Sequence, residues 1–135
     1  MICLDTNAAI AVINGDNRVL RRIVEAVAEQ EILAIPVIVL TELRYGAEHS
    51  ARRDHNLERV ETFLAGPVEV LTFDADDAAE AAVLREALAR LGKPIGPYDV
   101  LIAAQARRRG ATLVTDNERE FGRVAGLKCV NWLRG

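Results

Sequence analysis

The 135-residue sequence has no long hydrophobic run, few cysteines and histidines, and no excess of basic residues. No apolar stretch approaches the ~20 residues that a membrane span needs. No basic segment followed by an apolar run marks a secretory signal at the N-terminus. The sequence therefore predicts a cytoplasmic protein without a membrane partner. Its 17 basic residues against 20 acidic ones argue mildly against broad electrostatic binding of nucleic acid, but they do not exclude a nuclease.

Cysteine and histidine are too scarce to build a zinc site. The two cysteines, Cys3 and Cys129, both lie within apolar runs, which predicts reduced core residues rather than a disulfide. With only two histidines besides, the chain has no ligand set for structural zinc. Any metal ion would have to be held by oxygen atoms.

Short apolar runs alternate with helical patterns along the whole chain. The runs predict strands within residues 1–4, 31–36, 66–73, 111–115 and 127–133. The helical patterns predict helices over about 6–12, 18–29, 37–49, 52–65, 74–92, 98–109 and 117–124. Nearly continuous apolar strands are typical of a parallel sheet covered by helices on both faces. The predicted fold class is α/β, in a single domain over residues 1–135.

Acidic residues follow the predicted strands at the edge where ligands bind in open α/β sheets. Asp5 follows the first strand, Asp116 follows the fourth, and Asp99 lies in the first turn of a helix. Glu42 lies in an otherwise apolar helical stretch that follows the second strand. Converging carboxylates need a compensating cation, and Mg²⁺ or Mn²⁺ suits oxygen ligands. This pattern favours metal-assisted hydrolysis of phosphodiester bonds.

Each of these acids also has a purely local explanation. Asp5 could cap a helix, Asp116 could belong to a turn, Asp99 could complement a helix dipole, and Glu42 could face solvent. The residue pattern alone leaves both interpretations open. Three further acids crowd the start of the longest predicted helix, where capping and the dipole account for them: Asp74, Asp76 and Asp77.

Three other features carry separate hypotheses. Gly46, inside a predicted helix, is expected to allow close helix packing. Tyr45 beside it is expected to pack in the core or at an interface, with stacking on a nucleobase as the alternative. The run Arg107–Arg109 is expected to complement a helix dipole, with phosphate contact as the alternative.

Four segments, taken together, resemble the PIN-domain ribonucleases and more narrowly the VapC toxins of bacterial VapBC toxin–antitoxin pairs. The segments are LDTN, LTELRYGAEHS, GKPIGPYDVLIAAQARRRG and LVTDNEREFGRVAGLKCVNW, and they span nearly the whole chain. The resemblance implies a three-layer α/β/α sandwich with a central parallel sheet. It also implies an endoribonuclease that depends on Mg²⁺ or Mn²⁺ and cleaves tRNA, rRNA or mRNA. The implied partners are a cognate antitoxin that covers the site and a second copy of the chain.

Carried over by position, the family's catalytic acids fall on Asp5, Glu42, Asp99 and Asp116. Asp5 and Asp99 match its metal ligands. The supporting polar positions fall on Thr6, Asn7, Thr115 and Asn117. The fourth acid departs from the plainest pattern, because close relatives often carry two asparagines where this chain has Asp116 and Asn117. Asn117 is therefore the alternative at that position.

Other functional classes fit the residues less well. A phospho-acceptor domain shares this fold class, but it needs an acidic pair near the first strand and a late lysine. A haloacid-type phosphatase needs a second aspartate two residues after the first, where this chain has Asn7. An inactive PIN-like binding module tends to lose the acids that this chain keeps. A metal-titrated RNA-cleavage assay separates all three classes from a nuclease.

Overall fold

The structure is a computed structural model, and it describes residues 1–134. Five strands alternate with helices along this part of the chain: β1 (Ile2–Leu4), β2 (Leu33–Pro36), β3 (Glu69–Leu71), β4 (Thr112–Val114) and β5 (Lys128–Val130). The described residues also form seven helices: α1 (Thr6–Ile13), α2 (Asn17–Ala28), α3 (Val37–His49), α4 (Arg53–Leu64), α5 (Ala75–Arg90), α6 (Pro97–Arg108) and α7 (Glu118–Phe121). Every predicted element is present, and the ends differ by a few residues.

The five strands form one parallel sheet in the order β3-β2-β1-β4-β5. In the register of the central pair, Leu4 of β1 lies opposite Val114 of β4. The chain winds outward from β1 in one direction and from β4 in the other. The gap between the C-terminal ends of β1 and β4 is therefore the topological switch point, where doubly wound sheets bind ligands.

Helices flank the sheet in the three-layer α/β/α arrangement, which confirms the predicted fold class. The strands β1 and β2 are buried along their whole length and β4 is buried apart from the half-buried Thr112, as expected for strands covered on both faces. The expectation of full burial is wrong for β3 and β5. Glu69 and Val70 of β3 are exposed, and β5 is only partly buried, because each of these strands lies at an edge of the sheet.

An ion-pair network joins α5 to α6. Asp74 and Asp77 form a capping box at the start of α5, which confirms the capping interpretation. Asp77 is fully buried, and it accepts hydrogen bonds from Arg108 (2.7 Å) and Arg109 (2.8 Å). Burial alone would raise the pKa of Asp77, but the two guanidinium groups hold it well below its usual range. The arginine run of α6 therefore binds acids of α5, with Arg107 bonded to Glu80.

Gly46 of α3 does not pack as predicted, and Tyr45 does not lie in the core. A Cβ atom at Gly46 would meet nothing within 4 Å, so close helix packing is wrong. Tyr45 is 67% exposed, so it is not a core residue. Both residues lie on an open surface.

Cys3 and Cys129 are free thiols, with Cys3 buried and Cys129 partly buried. No helix within residues 1–134 has the length and apolar composition needed to cross a membrane.

Candidate active site

Asp5 and Thr115 mark the switch point of the sheet. Asp5 directly follows β1 and Thr115 directly follows β4, so the paired register brings them side by side at the C-terminal edge. The backbone amide of Asp5 donates to the Val114 carbonyl (3.1 Å), which extends the strand pairing to this point. Both side chains are buried, Asp5 being only 6% exposed. Asp5 and Thr115 thus form a polar pair at the crevice where sheets of this kind bind ligands.

Asp5 caps α1 and also belongs to the acidic site. Its Oδ1 atom accepts a hydrogen bond from the Ala8 amide (2.9 Å), which is the N-cap arrangement. Burial raises the pKa of Asp5 above its usual range, and the negative charges of Asp116 and Glu42 add to the rise. The Thr115 hydroxyl and the Ala8 amide oppose it. The local and the functional explanations of this residue are therefore compatible.

Glu42 reaches the same place from α3. This helix begins directly after β2 ends, so its second turn lies over the C-terminal edge of the sheet. The Thr6 hydroxyl donates to Oε1 of Glu42 (2.8 Å) and joins α1 to α3. The negative charge of Glu42 raises the pKa of both Asp5 and Asp99. Glu42 is thus held near both acids rather than turned to solvent.

Asp99 lies in the first turn of α6, after Gly96 and Pro97 have started the helix. Its pKa is raised to about 6. Burial is the largest cause, followed by the charges of Glu120, Glu42 and Asp5. The anionic neighbours of Asp99 thus add to the effect of burial. A carboxyl group whose pKa is shifted in this way is typical of a functional site.

Glu120 of α7 is the residue that sequence reasoning missed. Its Oε1 atom accepts a hydrogen bond from the Gly96 amide (2.6 Å), and its Oε2 atom accepts one from the Asn117 side-chain amide (2.7 Å). These bonds, with the Gly96 bond first, keep the pKa of Glu120 below its usual range. Glu120 also shares a hydrogen bond with Asp99, whose pKa rises in consequence. Within this carboxyl pair, the pKa of Asp99 is raised and that of Glu120 is lowered.

One sequence signal pointed to Glu120. Asn117 and Glu120 have the Asn-x-x-Glu spacing of a helix capping box, and Asn117 does cap α7. Because α7 follows β4, any acid in its first turn lies near the C-terminal edge of the sheet. Attention to that pattern would have placed Glu120 beside the predicted acids.

Asp116 lies at the rim of the site. It is exposed, and its Oδ1 atom accepts a hydrogen bond from the Asn7 side chain at 3.2 Å. Asn117 lies deeper, and its backbone amide donates to the Thr115 hydroxyl (2.9 Å). A cavity of about 160 Å³ fills the centre of the site. It is lined by six of the predicted residues over two apolar side chains: Asp5, Thr6, Asn7, Glu42, Asp99 and Asn117, with Ile102 and Phe121.

The structure therefore brings all eight predicted positions to one edge of the sheet, seven of them around or directly behind the cavity and Asp116 at its rim. Within residues 1–134, no three Asp, Glu, His or Cys side chains are gathered closely enough to hold a metal ion by themselves. The arrangement offers carboxylate and amide oxygens around a small polar cavity. It can bind a hydrated divalent cation or a group that carries positive charge.

Comparison with known proteins agrees with this geometry. The PIN-domain family profile matches residues 2–127. The tRNA(fMet)-specific endonuclease VapC of Shigella flexneri is 40% identical over 129 residues, which cover 96% of each chain. A chain of the crystal structure of DNA-bound VapBC from Salmonella typhimurium matches with a TM-score of 0.89 at 39% identity, over 97% of both chains. A chain of VapBC2 from Rickettsia felis matches with a TM-score of 0.89 at 36% identity, over 98% and 99% of the two chains.

A parallel α/β/α sandwich with acids at its switch point is the architecture of a PIN domain, and the family profile, the sequence relative and the solved structures all agree. The chain belongs to the PIN-domain family and, within it, to the VapC ribonucleases.

Proposed function

We propose that this chain is an endoribonuclease that uses Mg²⁺ or Mn²⁺ and acts as the toxin of a toxin–antitoxin pair. One observation carries the proposal above all. Asp5, Glu42 and Asp99 converge at the switch point of the sheet, where burial and then the charge of Glu42, among others, raise the pKa of Asp5 and of Asp99, with Glu120 against Asp99. Such a cluster is costly to keep ionised unless a cation joins it.

The residues present fit a hard divalent cation. All the donors around the cavity are oxygen or amide groups, and no cysteine or histidine is among them. Mg²⁺ keeps several waters and is usually bound through one or two carboxylates together with substrate phosphates. A site whose described acids do not themselves form a cluster of three ligands suits that mode of binding. Asp5 and Asp99 are the carboxylates proposed to hold the ion.

The bound ion would supply positive charge to the phosphoryl oxygens and a more acidic water. The other residues position these two ligands. Thr115 lies beside Asp5, and Thr6 holds Glu42 through its hydroxyl. Asn7 and Asn117 present amide groups at the mouth of the cavity, where they can contact the sugar or the phosphate of the RNA. Asp116 and Glu120 add negative charge around this core.

The relative from Shigella flexneri is specific for tRNA(fMet). A tRNA is therefore the first substrate class to test for this chain, followed by rRNA and mRNA. The phospho-acceptor and phosphatase alternatives predict no cleavage of any RNA. An inactive binding module predicts RNA affinity without metal-dependent cleavage.

The decisive variant is Asp5→Asn. If Asp5 only capped α1, this change would be nearly silent, because Asn caps a helix as well as Asp and matches it in size. If Asp5 holds the ion, cleavage falls about 100- to 1000-fold, as expected when one main electrostatic group is lost from a site. The measurement is RNA cleavage against Mg²⁺ concentration.

Asp76→Asn is the matched control, because Asp76 is an exposed acid in the first turn of α5, far from the site in the fold. Melting curves without metal should show Asp5→Asn at least as stable as the unchanged protein, since repulsion among the carboxylates is relieved. A fully active, well-folded Asp5→Asn protein contradicts the metal-site proposal.

We also propose two protein partners. The solved relatives from Salmonella typhimurium and Rickettsia felis are VapBC complexes, which supports a cognate antitoxin. The acidic cavity favours an antitoxin that inserts an arginine, because guanidinium groups pair bidentately with carboxylates. A second copy of the chain is supported by an apolar cleft of about 760 Å³ between α5 and α6, next to the exposed Leu91. Light scattering of the protein alone, and co-expressed with the small protein encoded beside it, measures both assemblies.

A further inference from the structure

Two aromatic side chains on α3 are stacked on the surface. The rings of Tyr45 and His49 have centroids 5.7 Å apart and planes 10° apart. Both side chains are exposed, and Tyr45 leaves 67% of its surface in contact with solvent. Residues four apart lie on the same side of a helix, so this pair forms a flat ledge on α3. Stacking of the two rings on each other holds the ledge in place, and the ledge is not part of the core.

The ledge continues from the acidic site along the same helix. Tyr45 and His49 follow Glu42 by three and seven residues, so they lie about 4.5 and 10.5 Å further along the helix axis. This spacing puts both residues on the same side of α3 as Glu42. A groove of about 250 Å³ between α1, α3 and α4 starts at Glu42, which also lines the acidic cavity. Gly46 lines this groove and leaves it open. Tyr45 and His49 do not line this groove themselves, so the ledge lies beside it, on the same helix as Glu42 and Gly46.

The charges around the ledge do not repel a phosphate backbone. Glu48 is paired with Arg53, and Glu61 of α4 is paired with Arg44. Arg52 is exposed three residues beyond His49, and it forms no ion pair with any residue from 1 to 134. Aromatic faces next to a cation are the combination with which proteins bind single-stranded nucleic acid.

We propose that Tyr45 and His49 form a stacking subsite for an unpaired base of the RNA, near the bond that is cleaved. This inference rests on the proposed ribonuclease function and names the substrate form: a single-stranded loop or end, whose unstacked bases are free to lie on an aromatic ledge. Stacking tolerates any base, so the subsite adds affinity and holds the strand in place rather than reading its sequence.

The test measures RNA binding without cleavage. A fluorescently labelled single-stranded RNA is titrated with the protein in metal-free buffer, and its anisotropy gives the Kd. Tyr45→Ala is expected to weaken binding about 5- to 150-fold, the range found when one stacked base loses its aromatic partner. Tyr45→Phe keeps the ring and should bind as the unchanged protein does. With Mg²⁺ added, Tyr45→Ala should raise KM by a similar factor and leave kcat nearly unchanged.

His49→Ala and His55→Ala form the matched pair of histidine variants, because His55 is equally exposed but lies on α4, away from the ledge. Alanine on an exposed helix surface favours folding, so none of these variants should be unstable. His49→Ala should weaken RNA binding and His55→Ala should not.

Two results would overturn the subsite while the ribonuclease function stands. One is an unchanged RNA Kd in both Tyr45→Ala and His49→Ala when the parent protein cleaves RNA. The other is an unchanged RNA Kd together with weaker binding of a co-expressed protein partner, which would assign the ledge to a protein interface. If the parent protein neither binds nor cleaves any RNA, both the subsite and the proposed function are wrong.

Discussion

At the scale of single residues, the proton balance of Asp99 decides the behaviour of the site. Its raised pKa of about 6 comes from burial first and then from Glu120, Glu42 and Asp5. The folded chain therefore holds a proton at Asp99 at a pH where the unfolded chain has already lost it. If Asp99 holds the proposed divalent cation, protons compete with that cation for the carboxylate, since metal ligands must be deprotonated.

This competition predicts opposite effects of pH on activity and on stability. Cleavage at limiting Mg²⁺ should rise as the pH rises through about 6, where Asp99 ionises. Without metal, the free energy of unfolding should fall as the pH rises from about 4 to about 6, because the unfolded state binds fewer protons than the folded state over that range. Asp99→Asn should flatten this stability profile. Urea unfolding at several pH values, with and without Mg²⁺, measures both effects.

Glu120→Gln provides the companion measurement. It removes the charge that contributes most to the raised pKa of Asp99 after burial, so the midpoint of the activity profile should move to lower pH. Glu118→Gln changes an exposed acid of the same short helix and should leave the midpoint where it is. A midpoint that stays the same in Glu120→Gln would show that Asp99 titrates independently of Glu120.

At the scale of elements, α7 and Arg123, two residues after it, hold the loop that leads into α6. Glu120 accepts a hydrogen bond from the Gly96 amide, and Arg123 donates one to the Pro94 carbonyl (3.0 Å). These two bonds hold the loop at Pro94 and at Gly96, directly before the first turn of α6, which carries Asp99. The guanidinium of Arg123 also helps keep the pKa of Glu120 low. Asp99 is therefore positioned by a neighbouring element as well as by its own helix.

Arg123→Gln should lower kcat by about 10- to 100-fold, because a small displacement of a positioned group costs that much in rate. The free energy of unfolding should change by less than about 1 kcal/mol, since the lost contact is partly exposed. Arg119→Gln is the control, because Arg119 is exposed on α7 and donates no hydrogen bond to the loop. Single-turnover cleavage together with urea unfolding separates positioning from stability. An equal kcat in the two variants would contradict the positioning role.

At the scale of the whole molecule, α6 joins the site to the α5 layer. Its first turn carries Asp99, and its last turn carries the arginines that bind Asp77. Between them, buried Gln105 donates to the carbonyls of Leu71 (2.9 Å) and Thr72 (3.1 Å), where edge strand β3 ends. One helix thus connects the site, the α5 layer and the edge of the sheet.

Asp77→Asn should destabilise the fold by about 3 kcal/mol, because a buried ion pair that loses one partner leaves uncompensated charge. Asp74→Asn is the matched change, since Asp74 is exposed and Asn caps as well as Asp, so the expected loss is about 1 kcal/mol or less. Because the pKa of Asp77 is lowered by folding, its contribution should disappear as the solution is acidified. Urea unfolding at neutral and acidic pH tests this, and equal losses in the two variants would contradict it.

The sequence predicted the elements well and their surroundings less well. Apolar period and breakers located all the strands and helices, because short buried strands and amphipathic helices leave strong local patterns. Strand order leaves no such pattern, so the exposed edges at Glu69 and Val70 could not be foreseen. Asp5 and Asp99 were identified because they lie where a strand ends and where a helix starts, and Glu42 because it interrupts an apolar helical stretch. Glu120 lies among other charged residues, so its capping spacing from Asn117 is its one sequence signal, and its contact with Asp99 is visible only in the structure.

The cap that Asp5 forms has a practical consequence for producing the chain if it is the proposed toxin. A residue whose one role was to hold the proposed ion could be replaced without regard to the first turn of α1, but Asp5 caps that turn. Asparagine keeps the cap and removes the charge, so Asp5→Asn should yield the folded chain with its chemistry switched off. Cells could then accumulate it without a protective partner. The same form would hold intact RNA long enough for a crystal of the complex to grow.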